Sequence, residues 1–149
     1  MHSSLLKPLF LVTEGQLDAP IICSLINTGE RIVYMIVAGG YQNIASALRT
    51  QYLMYGDEYN YIAACDSDSN DESVRMERIS MVKYLSGADF HLSNIGVFCF
   101  RKSLEEELGL PKLSNTDKTA IIEVLKIRKS EMQKCKTILE IQEFIDQLR

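Results

Sequence analysis

The sequence has no tryptophan, two histidines and three prolines. His2 and His91 lie far apart in the chain, so imidazole-based metal or nucleophilic chemistry has little material. Any chemistry falls to carboxylates. The four cysteines (Cys23, Cys65, Cys99, Cys135) form no CxxC pair and have no histidine close by. Three sit inside apolar stretches, which predicts reduced, buried thiols of a cytoplasmic protein and argues against a disulfide framework or a zinc site. No apolar run approaches the roughly 20 residues that a membrane helix needs. The opening "MHSSLLKPLFLV" has one basic residue and no small-residue cleavage site, so no signal peptide is expected. Basic residues are in deficit, 16 against 20 acidic ones, for a net charge of −4. That balance disfavours gripping nucleic acid by bulk electrostatics and still allows a local basic surface around an acidic, cation-filled site.

What is present suits one globular domain: 149 residues, 46% of them apolar, enough to bury a proper core. Four β-rich apolar stretches stand out, "PLFLVT" (8–13), "RIVYMIVA" (31–38), "YNYIAAC" (59–65) and "SNIGVFCF" (93–100). Each carries β-branched or aromatic residues and ends in polar or glycine punctuation. Continuous apolar strands predict a sheet covered on both faces. Between them lie helical patterns at 18–27, with Asp18 as a candidate N-cap, at 43–56, and at 72–87. The second carries Ile44, Ala47, Leu48 and Tyr52 on one face. The third carries Val74, Ile79, Val82 and Leu85 and stops at Gly87. Strands alternating with helices predict a Rossmann-like α/β fold. Its mostly parallel central sheet has about four strands, flanked by helices.

After Arg101 the pattern becomes polar, with a short helical piece ended by Gly109 and Pro111. "TDKTAIIEVLKIRK" and "MQKCKTILEIQEFIDQLR" then read as two helices, the last with an apolar stripe of Ile138, Ile141, Ile145 and Leu148. The expected organisation is an α/β domain over 1–110 and a C-terminal helical extension over 111–149 packed on it. The stripe serves either the chain's own core or a dimer or partner surface.

The chemistry-bearing motif is "YIAACDSDSND" (61–71), an apolar strand that ends in Asp66, Asp68, Asn70 and Asp71. A second acidic site follows the first strand in "LFLVTEGQLD", with Glu14, Gly15 and Asp18. Ligands of open α/β sheets collect beyond the carboxyl ends of strands. If the first and third strands are neighbours, the two sites meet there. On an extended chain Asp66 and Asp68 point to the same side, their roots about 6–7 Å apart. Magnesium, bound by hard oxygens and retaining waters, suits such a sparse site and removes the repulsion between the acids. Gly15 permits a sharp turn and close approach of an anion, toward which the next helix offers free N–H groups. Two plainer alternatives stand beside this one. The run Asp66, Asp68, Asn70 and Asp71 is also the composition of a solvated turn, and Asp18 suits a simple helix cap. An EF-hand fits poorly, since Asp71 occupies the position that requires glycine.

Taken together, "LFLVTEG" followed by an acid, then a strand ending in Asp-x-Asp, resembles the TOPRIM domain over roughly residues 8–108. The nuclease branch of overcoming-lysogenization-defect type looks closest, because it carries a second acid four positions past the glutamate, matched by Asp18. The resemblance implies that Glu14 acts as general acid or base and that Asp66 and Asp68, with Asp18, bind Mg2+ or Mn2+. It places Gly39 and Gly40 where the family has glycines after the second strand. It also brings in Glu105 (with Glu106) from "SLEEELGL", and Lys102, Lys112 or Lys118 as a late lysine. Asp71 is a further acidic candidate.

The implied activity is Mg2+-dependent phosphodiester cleavage of DNA or RNA, with Arg49, Arg75, Arg78, Lys83 and Arg101 available to steady phosphates. The chain lacks the GxxxxGK[ST] motif of the ATPase to which that branch is normally fused. An ATPase partner or a homodimer through the C-terminal helices is therefore expected. The alternative is a non-catalytic scaffold of the same fold in a DNA repair or phage-defence complex. A phospho-receiver domain is a more distant option, because it needs two adjacent acids after the first strand.

Overall fold

The computed structural model describes residues 6–87, 93–111 and 118–148. Both histidines and Lys112 lie outside them. Four strands form: β1 (Leu9–Thr13), β2 (Val33–Val37), β3 (Asn60–Asp66) and β4 (Ile95–Phe100). They pair in the order β2-β1-β3-β4, every pair parallel. The helices are α1 (Asp18–Leu25), α2 (Tyr41–Tyr55), α3 (Glu72–Ser86), α4 (Leu104–Leu108), α5 (Lys118–Met132) and α6 (Lys136–Asp146). The architecture is α/β and Rossmann-like, with a C-terminal helical extension. Among the described residues no helix is long and apolar enough to cross a membrane.

Alternation along the strands divides the core into two layers. Leu9, Leu11, Ile62 and Ala64 face α1 and the C-terminal helices, meeting Ile22, Leu104, Met132, Ile138 and Ile141. Phe10, Val12, Tyr61 and Ala63 face α2 and α3, meeting Ile44, Leu48, Ile79 and Val82. The stripe of α6 thus serves the chain's own core: Ile138, Ile141 and Ile145 are buried.

Two expectations need correction. β2 is not covered on both faces: unlike β4 at the opposite edge, which is largely buried, it leaves Tyr34, Met35 and Val37 44–49% exposed. The interior stripe of α3 is also rotated from the expected one. Val74 and Leu85 are exposed, and Arg75, Ile79, Val82 and Ser86 face inward. Arg75 can be buried because its guanidinium finds three acceptors. Its Nε donates to the Cys99 carbonyl at 2.7 Å, and its other nitrogens pair with Glu72 and Glu140. A buried charge of this kind persists only when its hydrogen bonds are met.

The order of strands positions the site. From β1 the chain leaves through α1 toward β2, whereas from β3 it leaves through α3 toward β4. The connections diverge at the boundary of β1 and β3, and their carboxyl ends border an open crevice.

Candidate active site

Glu14 is the first residue past β1 and Asp66 the last of β3. Thr13 pairs with Ala64, so the two acids leave adjacent strands almost level. The backbone N–H of Asp66 donates to Glu14 Oε2 at 3.3 Å. Asp66 Oδ1 in turn accepts from the N–H of Leu104 at 2.9 Å, the first residue of α4. Arg78 of α3 donates to the Asp66 carbonyl at 3.1 Å, pairs with Asp68 at 3.5 Å, and lies 4.1 Å above the Tyr41 ring. Three elements therefore hold Asp66 in place, α4 at the carboxylate and the other two at the backbone.

Asp18 enters from the start of α1, but not as a helix cap. Leu17 occupies the cap position without a side-chain bond, and Asp18 Oδ2 instead accepts from the Gly15 N–H at 3.0 Å. This bond curls the loop tightly. A Cβ on Gly15 would come 3.2 Å from Asp18 Oδ1. Glu105, half-buried on α4, is close enough for its charge to act on both Asp18 and Asp66.

The electrostatics follow from crowding. Burial and the neighbouring Glu14 charge push the Asp66 carboxyl up to about 8, against the pull of the Leu104 N–H. Burial also raises Glu14, the hydrogen bonds from Asp66 oppose the rise, and the charges of Asp68 and Asp18 add to it. Asp18 is raised by burial and by Glu105, although the Gly15 N–H pulls it down. Like charges share a partly desolvated space, so the first and third strands do bring the two acidic segments together.

Other candidates fall outside this centre. The extended geometry assumed for Asp66 and Asp68 ends with β3. Ser67 is buried, and Asp68 turns into a left-handed conformation (φ 59°) with its side chain 74% exposed. Asp71 caps α3, accepting from the Ser73 N–H at 2.9 Å. Lys102, also left-handed (φ 57°), pairs with Glu106 at 3.8 Å. Its main chain clamps the acidic loop, since its carbonyl accepts from the Asp68 N–H at 2.8 Å and its N–H donates to the Ser69 carbonyl at 2.9 Å. Gly39 has φ 87° and donates to the Glu14 carbonyl at 3.1 Å, while a Cβ on Gly40 would meet open space. Arg75 is enclosed and unavailable to a phosphate, contrary to expectation. Arg49 lies beside Gly87 at the C-terminal end of α3, remote from Asp66. Lys118 begins α5 beside α1.

Two contributors were not singled out from the sequence. One is the Leu104 N–H, whose signal was available: Ser103-Leu-Glu-Glu106 is a capping-box pattern, and Ser103 Oγ accepts from the Glu106 N–H at 3.1 Å. The other is Tyr41, which supports Arg78 and left no local signal.

The donor set of Glu14, Asp66 and Asp18 is all hard carboxylate oxygen, which suits magnesium or manganese over softer metals. Among the described residues no three His, Cys, Asp or Glu side chains are arranged to hold an ion between them. What fits is a sparse site of one or two carboxylates completed by waters or substrate oxygens, as magnesium commonly uses.

No family model, curated protein or solved structure matches this chain. Its chemistry has to be argued from its own residues.

Proposed function

We propose that this protein is a Mg2+-dependent phosphodiester nuclease of TOPRIM type acting on DNA or RNA. The observation that carries this reading is the meeting of Glu14 and Asp66 at the divergence of β1 and β3, joined by the 3.3 Å bond. Glu14 and Asp66, completed by waters or substrate oxygens, would hold the ion, which when bound polarises a phosphoryl oxygen and lowers the pKa of an attacking water. The protein's own part is positional and protonic. Asp66 is anchored by Leu104, with Arg78 bonded to its carbonyl. Glu14, whose carboxyl burial raises above its ordinary value, is suited to exchange a proton with the attacking or leaving oxygen. The exposed turn at Gly39 and Gly40 leaves backbone open beside the crevice. Arg101 and Lys102, exposed past the end of β4, can meet phosphates.

A second reading, a non-catalytic scaffold of the same fold, is favoured by one observation: Asp68 is turned outward and paired with Arg78 instead of facing Asp66. The two are separated by incubating supercoiled DNA and structured RNA with Mg2+ or Mn2+, using wild type, Glu14→Gln and Asp66→Asn. The nuclease requires cleavage by wild type that both substitutions abolish. Intact substrate throughout, or cleavage that survives both substitutions, rejects it.

A further inference from the structure

Away from the acidic crevice, α1 and α5 enclose an open groove of about 530 Å³. Its floor is apolar, built from Leu17, Ile21, Ile121 and Leu125. Lys118, Lys126 and Lys129 line it, and among the described residues no acidic side chain does. All three lysines are exposed, and none forms an ion pair among the described residues. In a chain of net charge −4, this is a local reversal of sign. Positions 118, 122, 125 and 129 recur at helical spacing and share one stripe of α5, so cations stand at both ends of an apolar row. Eleven residue steps along that helix span about 16 Å. Ile122 in the row is 51% exposed.

We propose that this groove receives an amphipathic helix from a partner protein, with apolar residues at i, i+3 or i+4, and i+7, flanked by aspartate or glutamate. A long trough between two helices matches the shape of helix-in-groove recognition. The three exposed lysines supply electrostatic complementarity and steering for an acidic partner. A nucleic-acid backbone fits less well, because the apolar floor offers a phosphate no bond. Docking also bears on the acidic crevice, because Ile21 of α1 and the cap residue Leu17 line the groove, while α1 supplies Asp18 to the site. The inference does not depend on cleavage and stands or falls separately from it.

The test is selection of binders from a randomised helical-peptide display library on the whole protein, followed by fluorescence anisotropy of the enriched peptide. Enriched sequences should show the stated apolar spacing with acidic flanks. Binding should fall at least tenfold in K118E/K126E/K129E and in Ile122→Ser, with circular dichroism unchanged. A peptide carrying lysine in place of its acids should recover affinity for the triple variant. The proposal is overturned if no sequence is enriched, if enriched sequences lack acidic bias, or if the substitutions leave binding intact. It is also overturned if short DNA or RNA loses binding in the triple variant while the peptide does not. A wild-type dimer in light scattering that Ile122→Ser dissolves would reassign the groove to a second copy of this chain.

Discussion

Glu14 and Asp66, 52 residues apart in sequence, are joined by a backbone N–H of one and a carboxylate oxygen of the other at 3.3 Å. Parallel pairing of β1 with β3 makes the contact, and burial gives it a pH dependence. The native Asp66 carboxyl titrates at about 8, whereas an unfolded aspartate titrates at about 3.9. Between those values the native state keeps a proton that the unfolded state has released, so stability falls as pH rises through the window.

Thermal melting without added metal should therefore show a lower Tm at pH 8.5 than at pH 5.5. Asp66→Asn should flatten that slope and melt above wild type at pH 8.5. Mg2+ should restore wild type at pH 8.5, because an ion that binds only the native state stabilises it by mass action. A wild-type Tm that rises over this range, or a variant with the same slope, would contradict the assignment.

Activity should divide the acidic residues by their place in the fold. Glu14→Gln is expected to lower the cleavage rate by about 10²–10⁴-fold, the usual contribution of a positioned acid or base. Asp68→Asn should cost less than about tenfold, since its side chain is mostly exposed and engaged with Arg78. Single-turnover rates at saturating Mg2+ measure both. Equal losses in the two variants would place Asp68 inside the centre after all.

Arg75 should matter for stability and not for substrate contact. Arg75→Ala leaves the Cys99 carbonyl, Glu72 and Glu140 without their shared donor. Glu72 and Glu140 are 48% and 35% exposed, so the change strands no buried charge, and the expected cost is about 1–3 kcal/mol, that of an unmet buried acceptor. Urea unfolding should report a loss of that order. The Arg75→Ala/Glu140→Gln pair should lose less than the two single changes would predict separately, because the side chains are coupled. A loss under about 1 kcal/mol would show that the network contributes little.

Gly96 in β4 is set by packing. A Cβ there would lie 2.7 Å from Phe98 Cε2 and 3.1 Å from Phe144 Cδ1, inside the edge-to-face pair that fastens α6 to the sheet. Gly96→Ala should cost about 1–3 kcal/mol by overpacking, and Phe98→Leu in the same chain should recover part of it. Urea midpoints decide the point. A neutral Gly96→Ala would mean that the two rings move aside freely.

The strands and helices were largely legible because both signals are local: apolar runs with β-branched residues, and helical spacing closed by glycine or a cap. Asp71 and Gly87 bound α3 much as short-range chemistry dictates. Burial of Arg75 was not legible, because its acceptors include Cys99 and Glu140, far along the chain. The outward turn of Asp68 was hidden for a related reason. Its N–H is bonded by the carbonyl of Lys102, which ends the extended geometry that spacing alone suggested.

By itself the sequence determined the kind of chain this is: alternating strands and helices, an apolar stripe on the C-terminal helix, and two acidic segments each following an apolar strand. The tertiary structure decided which of those acids stand together. Only the placement of β1 beside β3 brings Glu14 to Asp66, and only α4 and α3 hold Asp66 there through Leu104 and Arg78. Periodicity reports which way a side chain faces within its own element. The desolvation and repulsion that give a carboxylate its chemistry come from neighbours supplied by other elements.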